Sequence, residues 1–276
     1  VRWLTVILAL GAAPLAVPVL GQTYEADSGL SALTTADDSR GWEAVGRIEI
    51  AGRAFCTGAL VAPDLVLTAA HCLFDKESRS GFAPNDLQFL AGWRNGRAIA
   101  YRGVREAVVH PSYRYLGPES IEGVPFDMAF LRLDQPIRLA SVRPFAVGQD
   151  PEVGDRLEVV SYAVDRADAP SLQESCRLIG PQPGMNVFSC TVDFGSSGAP
   201  IFKVEDGEAR IVSVVSAKAE LDGKAVSLGA QMAVTYDELR AALEEAGNSA
   251  RSAAGLPQIG GSLAGGGAAG AKFLKP

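Results

Sequence analysis

Between residues 37 and 234 the chain is cut into short β-like runs, and that spacing constrains the fold more than any other feature. The runs are "VGRIEI", "AFCTGALV", "LVLT", "LQFLA", "VREAVVH", "MAFLRL", "RLEVVSYA", "RIVSVVS" and "AVSLGAQMAV", separated by Gly, Pro, Asn and Asp. No long helical period intervenes, so the pattern predicts an all-β sandwich or barrel. One helix is signalled near the end, in "TYDELRAALEEAG". There Thr235 and Glu238 form a capping-box pattern, Leu239 and Leu243 supply the packing face, and Gly247 supplies a stop.

The ends read differently from the middle. The first twenty residues, "VRWLTVILALGAAPLAVPVL", carry Arg2 and then an apolar run broken by Pro14 and Pro18, the layout of a cleaved signal peptide over 1–21. Residues 22–36 read as a mature N-terminus or short propeptide, and residues 248–276 as a flexible Gly- and Ala-rich tail that cannot bury enough surface to fold alone. The expected location is exported, periplasmic or extracellular, with no stable membrane insertion once the signal is removed.

Export gives the four cysteines a context, since thiols leaving the cytoplasm usually end as disulfides. Four cysteines allow three connectivities. Cys56 and Cys72 share one local block, and Cys176 and Cys190 another, so local pairing is the simplest choice. Each bridge would close a loop of about 15 residues, worth roughly 3 kcal/mol. With two histidines and no close cysteine pair, a metal site is not expected, and nothing calls for a cofactor. A formal charge of -7 without a basic cluster disfavours nucleic acid and acidic membranes as partners.

The stretch "TVDFGSSGAPIF", residues 191–202, sets Ser196 and Ser197 between glycines ahead of an apolar run. A serine hydroxyl attacks carbonyls only with a base beside it and a group that orients the base. Two histidines are available. His110, before a proline at a strand end, reads as structural, whereas His71 follows an apolar strand in "LVLTAAHCL" beside Cys72 and is the candidate base. Asp127 lies among Phe126 and Met128, where a charge is costly unless paired.

Three blocks, "CTGALVAPDLVLTAAHC", "FDMAFLRL" and "GSSGAPIF", resemble in sequence and order the histidine, aspartate and nucleophile blocks of the trypsin-like (chymotrypsin-fold) serine peptidases. The resemblance spans residues 37–247 and is closest to the bacterial branch that includes the V8-like glutamyl endopeptidases. It implies two packed six-stranded antiparallel β-barrels with a C-terminal α-helix, the barrels dividing near residues 140–155 and the site in the cleft between them. It further implies that Ser197 is the nucleophile, His71 the general base, Asp127 its orienting group, and the N–H groups of Gly195 and Ser197 the oxyanion hole. Ser213 falls where the family often places a serine bonded to the aspartate. By the same resemblance Cys56–Cys72 supports the histidine, and Cys176–Cys190 braces the loop entering the nucleophile.

Two departures matter. Many animal members carry Asp immediately before the nucleophile and pair it with a freshly cut amine; here that position is Ser196, so activation by that ion pair is not expected. Thr191 occupies the floor of the implied primary pocket rather than an Asp, and no histidine is left for glutamate recognition. Thr191, Val192, Ser213 and Ser216 as pocket residues suggest small or medium uncharged side chains. The function expected is an exported serine endopeptidase, a monomer acting on protein or peptide substrates through an acyl-enzyme. The alternative is a non-catalytic binding protein on the same fold.

Overall fold

The computed structural model describes residues 29–118 and 120–253, so the expected signal peptide and the Gly-rich end of the tail lie outside the described residues. After β1 (Leu30–Ala32), the strands β2 (Val45–Ile50), β3 (Ala54–Ala62), β4 (Leu65–Thr68), β5 (Leu87–Ala91), β6 (Ala100–Val109) and β7 (Ala129–Leu133) follow. They close into a barrel in the order β2-β3-β4-β7-β6-β5. Alternation explains the closure: strands put Ile48, Leu60, Val66, Phe89, Leu131 and Leu133 inside, each essentially without solvent contact. Closing the sheet also removes the open edges that a flat sheet would expose.

The second half contains β8 (Ala146–Val147), β9 (Arg156–Ala163), β10 (Arg166–Gln182), β11 (Met185–Phe188), β12 (Pro200–Glu205), β13 (Glu208–Leu221) and β14 (Lys224–Ala230). Two of its hairpins turn on Asp-Gly pairs. Asp206–Gly207 and Asp222–Gly223 hold φ of 53° and 78°, and 52° and 74°, the left-handed conformation that a two-residue hairpin turn requires. The strands pair as β10-β11-β14-β13-β12-β9, and β9 returns to β10, giving a ring of antiparallel pairings.

This half departs from the expected plain six-stranded antiparallel barrel. It is an eight-stranded sheet, because β1 adds to β10 and β8 joins β13 in parallel. The 17-residue β10 makes this possible: register shifts after Arg166, Gln173 and Leu178 bend it so that it can serve β1, β9 and β11 in turn. Residues 30–33 consequently belong to the folded unit, although the sequence reading began it near Asp37; Leu33 is buried in the core.

Trp42, Phe145 and Phe202 pack at 4.7–6.0 Å between ring centroids and join the barrel to the second sheet. Tyr162 is buried with its hydroxyl donating to the Trp93 carbonyl at 2.8 Å, so its polar end is satisfied inside the same core.

The helix α1 (Met232–Ala253) is longer at both ends than the pattern implied. Its first N–H groups are capped from afar, by Asp150 accepting from Met232 at 2.5 Å and Ala233 at 3.4 Å, so the helix does not need Thr235 as its cap. The Thr235 hydroxyl instead donates to the Pro125 carbonyl at 3.2 Å. Gly247 is passed without termination. Leu239 and Leu243 are buried, as the helical period requires. No helix among the described residues is long and apolar enough to cross a membrane.

Candidate active site

His71 sits in a 3₁₀ turn, Ala70–Leu73, that follows β4 directly. Asp127 ends another such turn, Val124–Phe126, just before β7. Because β4 and β7 are neighbours, with Thr68 paired to Ala129, the two turns emerge side by side at one end of the barrel. The Asp127 carboxylate is 3% exposed and grips His71 twice. Oδ1 accepts the backbone N–H of His71 at 2.8 Å, and Oδ2 lies 2.6 Å from ring Nδ1. A carboxylate can only accept, so this geometry suits the neutral tautomer with the proton on Nδ1 and the lone pair on Nε2. Oδ2 also takes the Ser216 hydroxyl.

That last bond corrects one assignment. Ser213 donates to the Ala230 carbonyl at 2.8 Å, and Ser216 is the serine on Asp127. A register shift in β13 between Val215 and Ala217 turns the strand at this point and redirects Ser216 toward the barrel. Both serines are therefore engaged with the protein and neither offers a free hydroxyl to a pocket. Of the other pocket candidates, Thr191 is held at both ends by Gln173, its N–H donating to Oε1 at 2.8 Å and its Oγ1 accepting from Nε2 at 3.3 Å. Val192 packs partly against the core of the second sheet.

The loop carrying Ser197 is tied to the barrel by backbone and by glycine. Thr57 donates its N–H to the Ser197 carbonyl at 2.8 Å, and its hydroxyl donates to the Gly195 carbonyl at 2.9 Å. Gly198, at φ +78°, lies so close that a Cβ there would fall 2.1 Å from Thr68 Oγ1, 2.3 Å from the Thr57 carbonyl and 2.9 Å from the Ala69 nitrogen. This contact seats the serine loop against the segment that leads into His71. Among the described residues the His71 ring meets Asp127 at Nδ1 and Cys72 Sγ, at 3.9 Å, at Nε2, and the Ser197 hydroxyl makes no hydrogen bond to it.

An account of the loop's N–H groups isolates two of them. Asp193 donates to Ser196 Oγ, Phe194 to Asp193 Oδ1, Ser196 to the Asp193 carbonyl, Gly198 to the Val215 carbonyl and Ala199 to the Ser196 carbonyl. Among the described residues, the N–H groups of Gly195 and Ser197 have no acceptor. These two donors, on either side of Ser196, are free to receive an oxygen from outside the loop. Gly195, at φ +98°, has no room for a side chain, since a Cβ would lie 2.4 Å from the Phe55 ring.

One participant was not visible in any motif. Ser196 is fully buried, and its Oγ takes a hydrogen bond from Arg166 Nη2 at 3.3 Å while reaching the Tyr162 carbonyl at 3.2 Å. Arg166 also donates from Nη1 to Ser161 O at 2.8 Å and Ser161 Oγ at 3.2 Å. Burial lowers the pKa of its guanidinium, against the opposing pull of Asp165 and Asp193. Arg166 lies 30 residues from Ser196, so local sequence carries no signal of the contact.

Both disulfides join the local pairs. Cys56–Cys72, with Cα atoms 6.3 Å apart, links β3 to the turn bearing His71. Cys176–Cys190, at 4.7 Å, links β10 to the segment entering the Ser197 loop. Cys56, His71 and Cys72 place three potential ligand atoms within 4.8 Å, but the two sulfurs are bonded to each other and are not thiolates. His110 stays apart from Ser197: it is buried, stacks on Phe126 at 5.1 Å, and its Nε2 lies 3.1 Å from Glu238 on α1. Burial of the Tyr113 phenol, aided by the negative charge of Asp127, pushes its pKa above the ordinary range, which keeps this neighbour neutral.

Residues 56–210 match the family model of the trypsin-like peptidase domain. The chain is 35% identical over 99 residues to the modular serine protease of Drosophila melanogaster, a stretch covering 33% of this chain and 15% of that protein. It is 28% identical over 197 residues to serine protease 56 of Homo sapiens, covering 60% of this chain and 30% of that protein. The likeness thus takes in less than a third of either relative's length. A Glu endopeptidase solved in complex with MPD superposes with a TM-score of 0.66 at 19% sequence identity, covering 80% of this chain and 98% of that one. At that identity the likeness is one of fold.

Proposed function

We propose peptide-bond hydrolysis on the premise that the chain belongs to the trypsin-like peptidase domain family, whose model its residues 56–210 match. Ser197 Oγ attacks the scissile carbonyl carbon while its proton passes to His71 Nε2, the nitrogen that Asp127 leaves unprotonated. The oxyanion that forms is received by the open N–H groups of Gly195 and Ser197. Collapse breaks the C–N bond as His71 returns the proton to the leaving amine. Water, activated by the same histidine, then releases the acyl group from Ser197.

The observation that carries this reading is the double hold of Asp127 on His71, which fixes both the tautomer and the position of the base. The observation on the other side is the Ser197 hydroxyl, which makes no hydrogen bond to Nε2; such contacts commonly tighten only once substrate is bound. The substrate would lie between the first barrel, which supplies His71 and Asp127, and the second ring, which supplies Ser197 and acts as the second barrel. The disulfides suit an oxidising compartment, in keeping with export to the periplasm or beyond.

Hydrolysis of an unfolded protein substrate by wild type and by Ser197→Ala tests the reading. Turnover by the wild type that the variant loses supports it. Equal and negligible turnover, with the substrate bound but intact, favours the non-catalytic alternative.

A further inference from the structure

Phe194 precedes the proposed oxyanion glycine and is 63% exposed. A lone exposed ring is ordinary. This one, however, carries an ammonium from each half of the molecule: Lys76 Nζ lies 5.4 Å from the ring centroid and Lys218 Nζ 4.8 Å. Lys218 stands on β13 two residues beyond Ser216, and Lys76 on the loop that leaves the His71 turn. The two cations differ in their partners. Lys218 is matched by Asp193 at 3.1 Å. Lys76 has no carboxylate within ion-pair distance among the described residues, because neighbouring Asp75 is occupied by Ser78 and faces Arg53. Other cations of the described residues also lack an ion pair, but Lys76 is one that rests on an aromatic ring whose residue directly precedes Gly195, where the reacting carbonyl oxygen would lie.

The side of the substrate that meets Lys76 follows from the proton transfer. His71 hands its proton to the departing amine, so the leaving-group half of the peptide lies toward His71 and the loop that continues from it. We propose that Lys76 is a specificity residue that favours an acidic side chain at the first or second position after the scissile bond, with Phe194 holding the ammonium in place. This rests on the peptidase reading above. Exposed ion pairs are weak, so the expected preference is about two- to fivefold in kcat/KM and declines with salt.

The test uses internally quenched peptides that differ only by Glu or Gln at those two positions. Wild type, Lys76→Gln and Lys76→Glu are compared at low and high ionic strength, each enzyme first titrated with a fluorophosphonate. The expected result is a Glu preference of about two- to fivefold at low salt, a ratio near one for Lys76→Gln, and an inverted ratio for Lys76→Glu. Normal titration with no Glu preference in wild type, or with the same preference in Lys76→Gln, overturns this inference alone. Absence of titration in folded wild type overturns the peptidase reading and this inference with it.

Discussion

Asp127 binds His71 through both carboxylate oxygens, one on the backbone N–H at 2.8 Å and one at ring Nδ1 at 2.6 Å. The backbone bond positions the residue and the ring bond selects the tautomer. Asp127→Asn keeps the shape but can present an N–H to Nδ1 and so favour the wrong tautomer. Its kcat should fall by about 10⁴-fold with a near-normal melting temperature. Ser216→Ala removes one bond to the same carboxylate and should cost about ten- to a hundredfold in kcat with little change in KM, since a hydrogen bond to a charged group contributes roughly 1.5–3 kcal/mol. Steady-state kinetics on both variants separates the two effects.

The Arg166–Ser196 contact holds the residue between the two open N–H groups, so its loss should loosen the proposed oxyanion site rather than unfold the protein. Arg166→Ala should lower kcat by about tenfold with a smaller change in KM, roughly the low end of what losing the single charged hydrogen bond to Ser196 costs. Arg166→Lys should recover part of it. Equal kcat in all three proteins would remove Arg166 from the account.

Gly198 tests how tightly the serine loop is seated. A methyl group there meets the Thr57 carbonyl and Thr68 Oγ1 and must adopt a φ that alanine disfavours. Gly198→Ala should destabilise the fold by about 3 kcal/mol or more, combining strain with overpacking, and abolish activity. Gly207→Ala, in an Asp-Gly hairpin with open space around it, should cost about 1 kcal/mol by denaturant titration.

His110 gives the fold a pH dependence with a definite sign. Burial lowers its pKa below the ordinary 6.5, with Glu238 opposing as the largest raising influence. A histidine held neutral in the fold takes up its proton more readily when unfolded. Its contribution is complete above the unfolded value near 6.5 and is lost as pH falls toward the lower folded value. The melting temperature should therefore drop between about pH 7 and pH 5, and His110→Gln should flatten that slope relative to wild type.

What the sequence made legible was mostly local. The strand runs are set by alternation and turn residues, and the His71–Asp127 pair that the structure brings together stands in two blocks recognisable from their neighbours, as does the proposed nucleophile Ser197. The two disulfides close short loops. The misreadings all involve partners distant in the chain. Ser216 reaches Asp127 because a bulge in β13 turns it, and counting along "RIVSVVS" favours Ser213 instead. The helix starts at Met232 because Asp150, 82 residues earlier, caps it. Arg166 arrives under Ser196 through the β9–β10 hairpin, and β1 joins a sheet that is completed more than a hundred residues later. Tertiary pairing decides these points, and local pattern carries no trace of it.

The central claim is that Ser197 is a nucleophile activated by His71. Labelling the purified folded protein with a fluorophosphonate, followed by peptide mapping of the adduct, tests it most directly. The account predicts a single adduct on Ser197, absent in Ser197→Ala and formed far more slowly in Asp127→Asn. An unlabelled folded protein, or an adduct on another residue, would contradict it.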